Sequence, residues 1–190
     1  MDTDKLTTEE QQILLDLARQ SISAVVSGKG LPNINVSEMP SRLQADGASF
    51  ITLTINGELR GCIGALSAYQ SLAEDVREHA ISAALEDFRF SPVRPDELDK
   101  IEIEISRLTT PAPLEYTTPD DLISKLRPRI DGVVIKDGSR RATFLPQVWE
   151  KIPDPEEFLD NLCYKMGGPQ KLWRSKHLDV LIYQVEEFHE

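Results

Sequence analysis

The segment Glu58–Gly64, ELRGCIG, places an arginine, one of the chain's two cysteines and two glycines within seven residues. In an extended strand Arg60 and Cys62 share a face, so the guanidinium would favour a thiolate. Gly61 and Gly64 would bare backbone N–H groups able to hold an anion or a developing oxyanion. These are the parts of a nucleophilic thiol site. The base such thiols ordinarily use is a histidine, and the nearest in sequence, His79, lies on a predicted helix of underived orientation. The competing reading is structural: a free cysteine is commonly a small buried hydrophobe, and glycines in a strand mark a bulge or a close backbone approach.

The elements that must position these residues follow from periodicity. Leu14, Leu17, Ala18, Ile22, Val25 and Val26 form one face of an opening helix stopped at Gly28. Ile51, Leu53 and Ile55 alternate with polar residues up to Asn56-Gly57, a hairpin signal. With a two-residue turn, Ile55 faces Glu58, Leu53 faces Arg60 and Ile51 faces Cys62. That register predicts Cys62 on the isoleucine face, hence in the core if that face is core. A helix capped from Ser71 to Glu74 follows. After it, Ile101, Ile103 and Ile105 alternate with Glu102 and Glu104 as a half-buried strand. A short helix enters through Pro119, a second hairpin turns at Asp137-Gly138, a third substantial helix ends at Gly167-Gly168, and LDVLIYQVEEF reads as one closing strand.

This mixture of hairpins and single helices predicts an α+β fold, a mainly antiparallel sheet with helices against it. Both hairpins place Arg at one offset, since 138 − 57 = 81 and 141 − 60 = 81, which raises an internal hairpin-helix duplication. The apolar phases disagree, because Ile55 then aligns with Lys136. If the hairpins are adjacent, Arg60 and Arg141 would converge on a cleft suited to a small carboxylate or phosphate.

Two further segments combine suitable residues. LEDFRFSP offers Glu86, Asp87 and Arg89 with Phe88 and Phe90, either an Arg-carboxylate pair sealing a helix end among packed aromatics or a recognition loop. RATFLPQVW offers Arg141, Thr143, Leu145 and Pro146, most simply a strand and proline turn with Trp149 anchoring the core.

Composition excludes several classes. The 190 residues suffice for one sizeable domain, and the net charge of −11 argues against nucleic acid. The acidic start lacks a secretory pattern and no apolar run reaches membrane-spanning length, so a cytoplasmic protein without membrane association is expected. Cys62 and Cys163 form no C-x-x-C pair, and three scattered histidines give no metal spacing, so neither metal nor cofactor is expected.

Together LRGCIG, DFRFSPV, IEIEIS, RATFLPQVW, PDPEEFL and the late Lys165, Gly167 and Trp173 resemble the AMMECR-type domain, whose prokaryotic branch is called AmmeMemoRadiSam system protein A. The likeness spans about Leu14 to Phe188, and ATFLPQVW suggests the bacterial-type branch. It implies a single AMMECR-type domain over residues 1–190, built of a larger and a smaller lobe. It also implies a functional patch: Leu59, Arg60, Gly61, Cys62, Ile63 and Gly64, with Asp87, Arg89, Phe90 and Pro92 from the second motif and Thr143, Leu145 and Pro146 from the third. Where this chain has Asp87-Phe88-Arg89-Phe90 the family usually has Asp-Pro-Arg-Phe, which questions the loop geometry. The system's name implies a Memo-type protein and a radical S-adenosylmethionine enzyme as partners. Two functions stay open: a component whose Cys62 attacks or carries a substrate group, and a non-catalytic adaptor presenting the same patch.

Overall fold

The computed structural model describes residues 5–31 and 33–190. Helix α1 (Thr8–Val26) starts at a capping box in which Thr7 and Glu10 satisfy each other's backbone N–H groups, and it buries Leu14, Leu15, Leu17, Ala18 and Ile22. The chain turns out of it at Gly28, φ 65°. A short helix α2 (Ser41–Gln44) leads into strands β1 (Asp46–Ile55) and β2 (Glu58–Gly64), joined at Asn56-Gly57, where both residues take the positive φ of 54° and 78° that a tight hairpin demands. Strand β3 (Gln70–Ser71) pairs with the start of β1, and Ser71 caps helix α3 (Leu72–Leu85). Strand β4 (Ile101–Leu108) closes this half of the chain.

The second half carries β5 (Ala112–Pro113), α4 (Pro119–Lys125), β6 (Gly132–Asp137), β7 (Arg140–Phe144), α5 (Pro155–Lys165), α6 (Leu172–Ser175) and β8 (Asp179–Tyr183). Strand β9 (Val185–His189) follows after one residue. The expected single closing strand is therefore two, broken at Gln184, and they join different sheets. One sheet has the order β2-β1-β4-β9 with β3 against β1, the other β5-β8-β6-β7. The chain accordingly divides into two compact units, one running to Leu108 and regaining Glu186–Glu190, the other Thr109–Val185. The α+β class and the antiparallel pairing agree with the sequence.

Each unit has its own core. In the first, α1 and α3 cover one face of the sheet, burying Ile51, Leu53, Ile103 and Ile105 completely. In the second, Trp149 lies stacked on Phe158 at 3.6 Å, with Val133, Ile135 and Trp173 around them. Each such side chain contributes about 1.5–3 kcal/mol on leaving water.

The β1–β2 ladder departs from the expected register. Ile55 faces Glu58, but Thr54 faces Leu59 and Leu53 faces Gly61, so Arg60 is the extra residue of a bulge. Ile51 then faces Ile63, and Cys62 faces Thr52. The cause lies in the helix packed on this face of the strand. Helix α3 lies so close to β2 that a Cβ on Gly61 would sit 2.2 Å from the carbonyl oxygen of Ala83. The position beneath α3 must be glycine, and the bulge delivers Gly61 there. In contrast, β6 and β7 pair without interruption from Asp137–Arg140 to Val133–Phe144. Arg60 is thus a bulge residue while Arg141 is a ladder residue in the other unit's sheet, and the shared offset does not give the two equivalent places.

Gly61→Ala should lower stability by about 3 kcal/mol or more, because the clash is with backbone rather than a flexible side chain. Glu58→Ala, at an exposed position of the same strand, should change it by less than about 0.5 kcal/mol. Urea denaturation of the two variants checks this.

Candidate functional site

The bulge turns Arg60 toward the segment after α3. Its Nε donates to Glu97 Oε1 at 2.9 Å and its Nη2 to Glu97 Oε2 at 3.0 Å, with a further bond from Nη2 to the Pro92 carbonyl at 3.3 Å. The pair is largely shielded, with side-chain exposures of 14% and 15%. Glu97 Oε2 also accepts the Arg94 backbone N–H at 2.8 Å. Hydrogen bonding from Arg60, reinforced by that amide, pulls the Glu97 carboxyl down to about 2. The fork expected to meet an anion is filled by a carboxylate of the same chain.

Cys62 is held through its backbone. β2 is an edge strand, and the Cys62 N–H donates to Asp87 Oδ2 at 2.8 Å while the Cys62 carbonyl accepts from Arg89 Nη2 at 3.3 Å. An acid and a base thus stand in for a neighbouring strand and block an edge otherwise open to pairing. Asp87 is itself buried and grips Arg89 twice, Nε to Oδ1 at 2.9 Å and Nη2 to Oδ2 at 2.7 Å. The Arg89 guanidinium first, and then the Cys62 and Arg89 backbone amides, hold the Asp87 carboxyl far below the usual carboxylate range despite its burial.

The Cys62 amide is therefore not bare, and the thiol is not in the core beside Ile51. The register shift puts its side chain on the face away from α3, half-buried, where Thr52 Oγ1 lies 3.5 Å from Sγ. His79 belongs to the other face. It is buried on α3 with Nδ1 3.2 Å from Asp75 Oδ2, and that same oxygen accepts from Ser49 Oγ at 2.6 Å. It cannot serve Cys62 as a base. Cys163 is buried in α5.

The remaining motif residues separate into two groups. Leu59 is exposed at 43%, Ile63 is half-buried against the first core, and Gly64 lies against Phe50, which a Cβ would approach to 2.5 Å. The Asp87–Phe90 turn is closed by the Arg89 N–H on Asp87 Oδ1 at 3.1 Å and the Phe90 N–H on the Asp87 carbonyl at 3.0 Å. Neither bond involves residue 88, so the turn stands without the family's proline. Phe90 lies 5.5 Å from the Arg89 guanidinium. Phe88, which the packed-aromatic alternative would bury, is instead 94% exposed. The first two motifs thus form one cluster. The third lies in the other unit: Thr143 Oγ1 is 3.1 Å from the Tyr183 hydroxyl, the Thr143 carbonyl accepts from Lys165 Nζ at 2.9 Å, Arg141 is exposed, and Leu145 leads into the turn opened by buried Pro146. Glu97 and Thr52 were not foreseen. Glu97 stands three residues after Arg94, a capping spacing, but its pairing across 37 residues with Arg60 left no local trace. Among the described residues, no three His, Cys, Asp or Glu side chains cluster as a metal site, and no helix is long and apolar enough to cross a membrane.

Because the Glu97 and Asp87 carboxyls are depressed in the fold, the stability they supply is complete above the ordinary carboxylate range. It should be lost as pH falls from about 4.5 toward 2. Glu97→Gln should flatten that fall in urea midpoint against pH, and an unchanged slope would contradict the role assigned to the Arg60 pair. Asp87→Ala should cost about 2–3 kcal/mol at neutral pH.

Comparison with known proteins bears on these segments together. A family model described as AMMECR1 matches residues 15–188. A protein of Methanothermobacter thermautotrophicus is 38% identical, covering 97% of this chain and 96% of its own, and one of Methanopyrus kandleri is 37% identical, covering 98% and 91%. The crystal structure of an uncharacterised protein from Pyrococcus horikoshii superposes with a TM-score of 0.78 at 31% identity, covering 97% of this chain and 93% of that one. With the LRGCIG strand, the Asp87–Phe90 turn and the Thr143–Pro146 segment all inside the matched region, the chain belongs to the AMMECR1 family.

Proposed function

We propose that this chain is the A component of a three-protein AmmeMemoRadiSam-type system of the cytoplasm, in the bacterial-type branch. In this reading the Leu59–Gly64 strand with the Asp87–Pro92 loop is its docking surface for the Memo-type or the radical S-adenosylmethionine protein. The observation that carries this is the state of the charges around Cys62. Arg60 is spent on Glu97 and Arg89 on Asp87, and the imidazole of His79 faces the other side of the sheet. A nucleophilic thiol needs a base or an unspent cation beside it. A recognition surface needs a rigid backbone carrying exposed apolar side chains. The two ion pairs give the rigidity, and Leu59 and Phe88 give the apolar groups. A small anion would have to displace Glu97 from the Arg60 fork, so a protein surface fits better than an anionic ligand.

One observation supports thiol chemistry as a second reading: Cys62 is only half-buried, unlike the buried Cys163. The two separate by experiment. In a binding assay with the purified partner proteins, Phe88→Glu should weaken association about tenfold or more, and Cys62→Ser should leave both association and the turnover of the assembled system unchanged. Turnover lost in Cys62→Ser with association intact would replace docking by catalysis. In either case native iodoacetamide should modify Cys62 well before Cys163, whose thiol is buried.

A further inference from the structure

The second unit carries a cavity of about 340 Å³, within the size range of small-molecule sites. Its floor is apolar and fixed: Pro113 and Leu181 are register partners of β5 and β8, and the Leu114 N–H ties the same segment to the Val180 carbonyl at 2.8 Å. One wall is flat and rigid. The His177 ring stacks on Tyr116 at 4.2 Å, and the Tyr116 hydroxyl both accepts from the Leu178 N–H at 2.8 Å and donates to the Leu178 carbonyl at 3.0 Å.

Around this floor stand charges of both signs. Lys136 of β6 is the register partner of Asp179 of β8, and Glu115 lies on the opposite segment. Among the described residues none of the three side chains makes an ion pair or a hydrogen bond. A purely anionic ligand would bring its charge against Glu115 and Asp179, and a purely cationic one against Lys136. Each is disfavoured by the charge it leaves opposed. A molecule carrying both signs on a short hydrocarbon body satisfies every group: its carboxylate meets Lys136, its ammonium meets the carboxylates, and its side chain rests on Pro113 and Leu181.

We propose that this cavity binds a small zwitterion, an α-amino acid with an apolar side chain. The test uses the full chain, labelled with ¹⁵N and titrated with L-leucine, with isovalerate as its carboxylate half and with isopentylamine as its ammonium half. Leucine should shift the amides of His177–Leu181 saturably in the millimolar range or below, and each half-molecule should bind at least about tenfold more weakly. Lys136→Met and Asp179→Asn, neither at a fully buried position, should each weaken leucine by about tenfold and leave thermal stability unchanged. Absence of saturable shifts with leucine at about 10 mM, or equal binding of either half-molecule, would overturn the proposal.

Discussion

Helix α3 packs so closely on strand β2 that the Ala83 carbonyl leaves no space for a side chain at residue 61. The conformation of the LRGCIG segment follows from that contact. Gly61 has to face the helix, so the ladder must skip a residue, and the skipped residue is Arg60. Displaced from the ladder, Arg60 reaches Glu97 and closes the segment after α3 onto the hairpin. Cys62 passes to the opposite face, and its backbone is left on the sheet edge, where Asp87 and Arg89 occupy it. Packing at one glycine thereby sets the placement of an arginine, a cysteine and two ion pairs.

The electrostatic consequence is that the cluster is balanced internally. Bidentate guanidinium–carboxylate pairs whose carboxylates are shielded from water are costly to break and leave little field for a neighbouring thiol. They hold backbone in place well, and they do so around the 94% exposed Phe88. Rigidity combined with an unpartnered aromatic side chain is the combination that interfaces use as an anchor. The physical character of the patch therefore favours recognition over nucleophilic attack.

Much of the fold was legible in the sequence, because it depends on local periodicity and turn chemistry. The apolar stripe of α1, the Ser71 cap of α3, the Asn56-Gly57 turn and the alternation of β4 each specify their own element. The strand glycines pointed to a bulge or a close backbone approach, but the residue the ladder skips was not legible, since strict alternation assumes an unbroken ladder and the interruption is imposed by α3 packing on Gly61. The break at Gln184 was hidden for a similar reason: LDVLIYQVEEF is apolar enough throughout for one strand, and only the separation into two sheets divides it. Within the candidate site, the Asp87–Arg89 seal was readable because its partners are two residues apart. The Arg60–Glu97 pair was not, and with it went the assignment of Arg60 as a thiol activator. Membership of the first two motifs in one cluster was implied by family resemblance rather than by spacing.

The Asp87 carboxylate and the Arg89 guanidinium act as a substitute strand on the β2 edge at Cys62. Amide hydrogen exchange by NMR tests this directly. The Cys62 amide should be protected to the same degree as that of Ile63, which lies within the β1–β2 ladder, and Asp87→Ala should collapse protection at Cys62 while sparing Ile63. A Cys62 amide that exchanges in the wild-type chain as fast as an open strand edge, or one indifferent to Asp87→Ala, would show that the two side chains do not substitute for a strand.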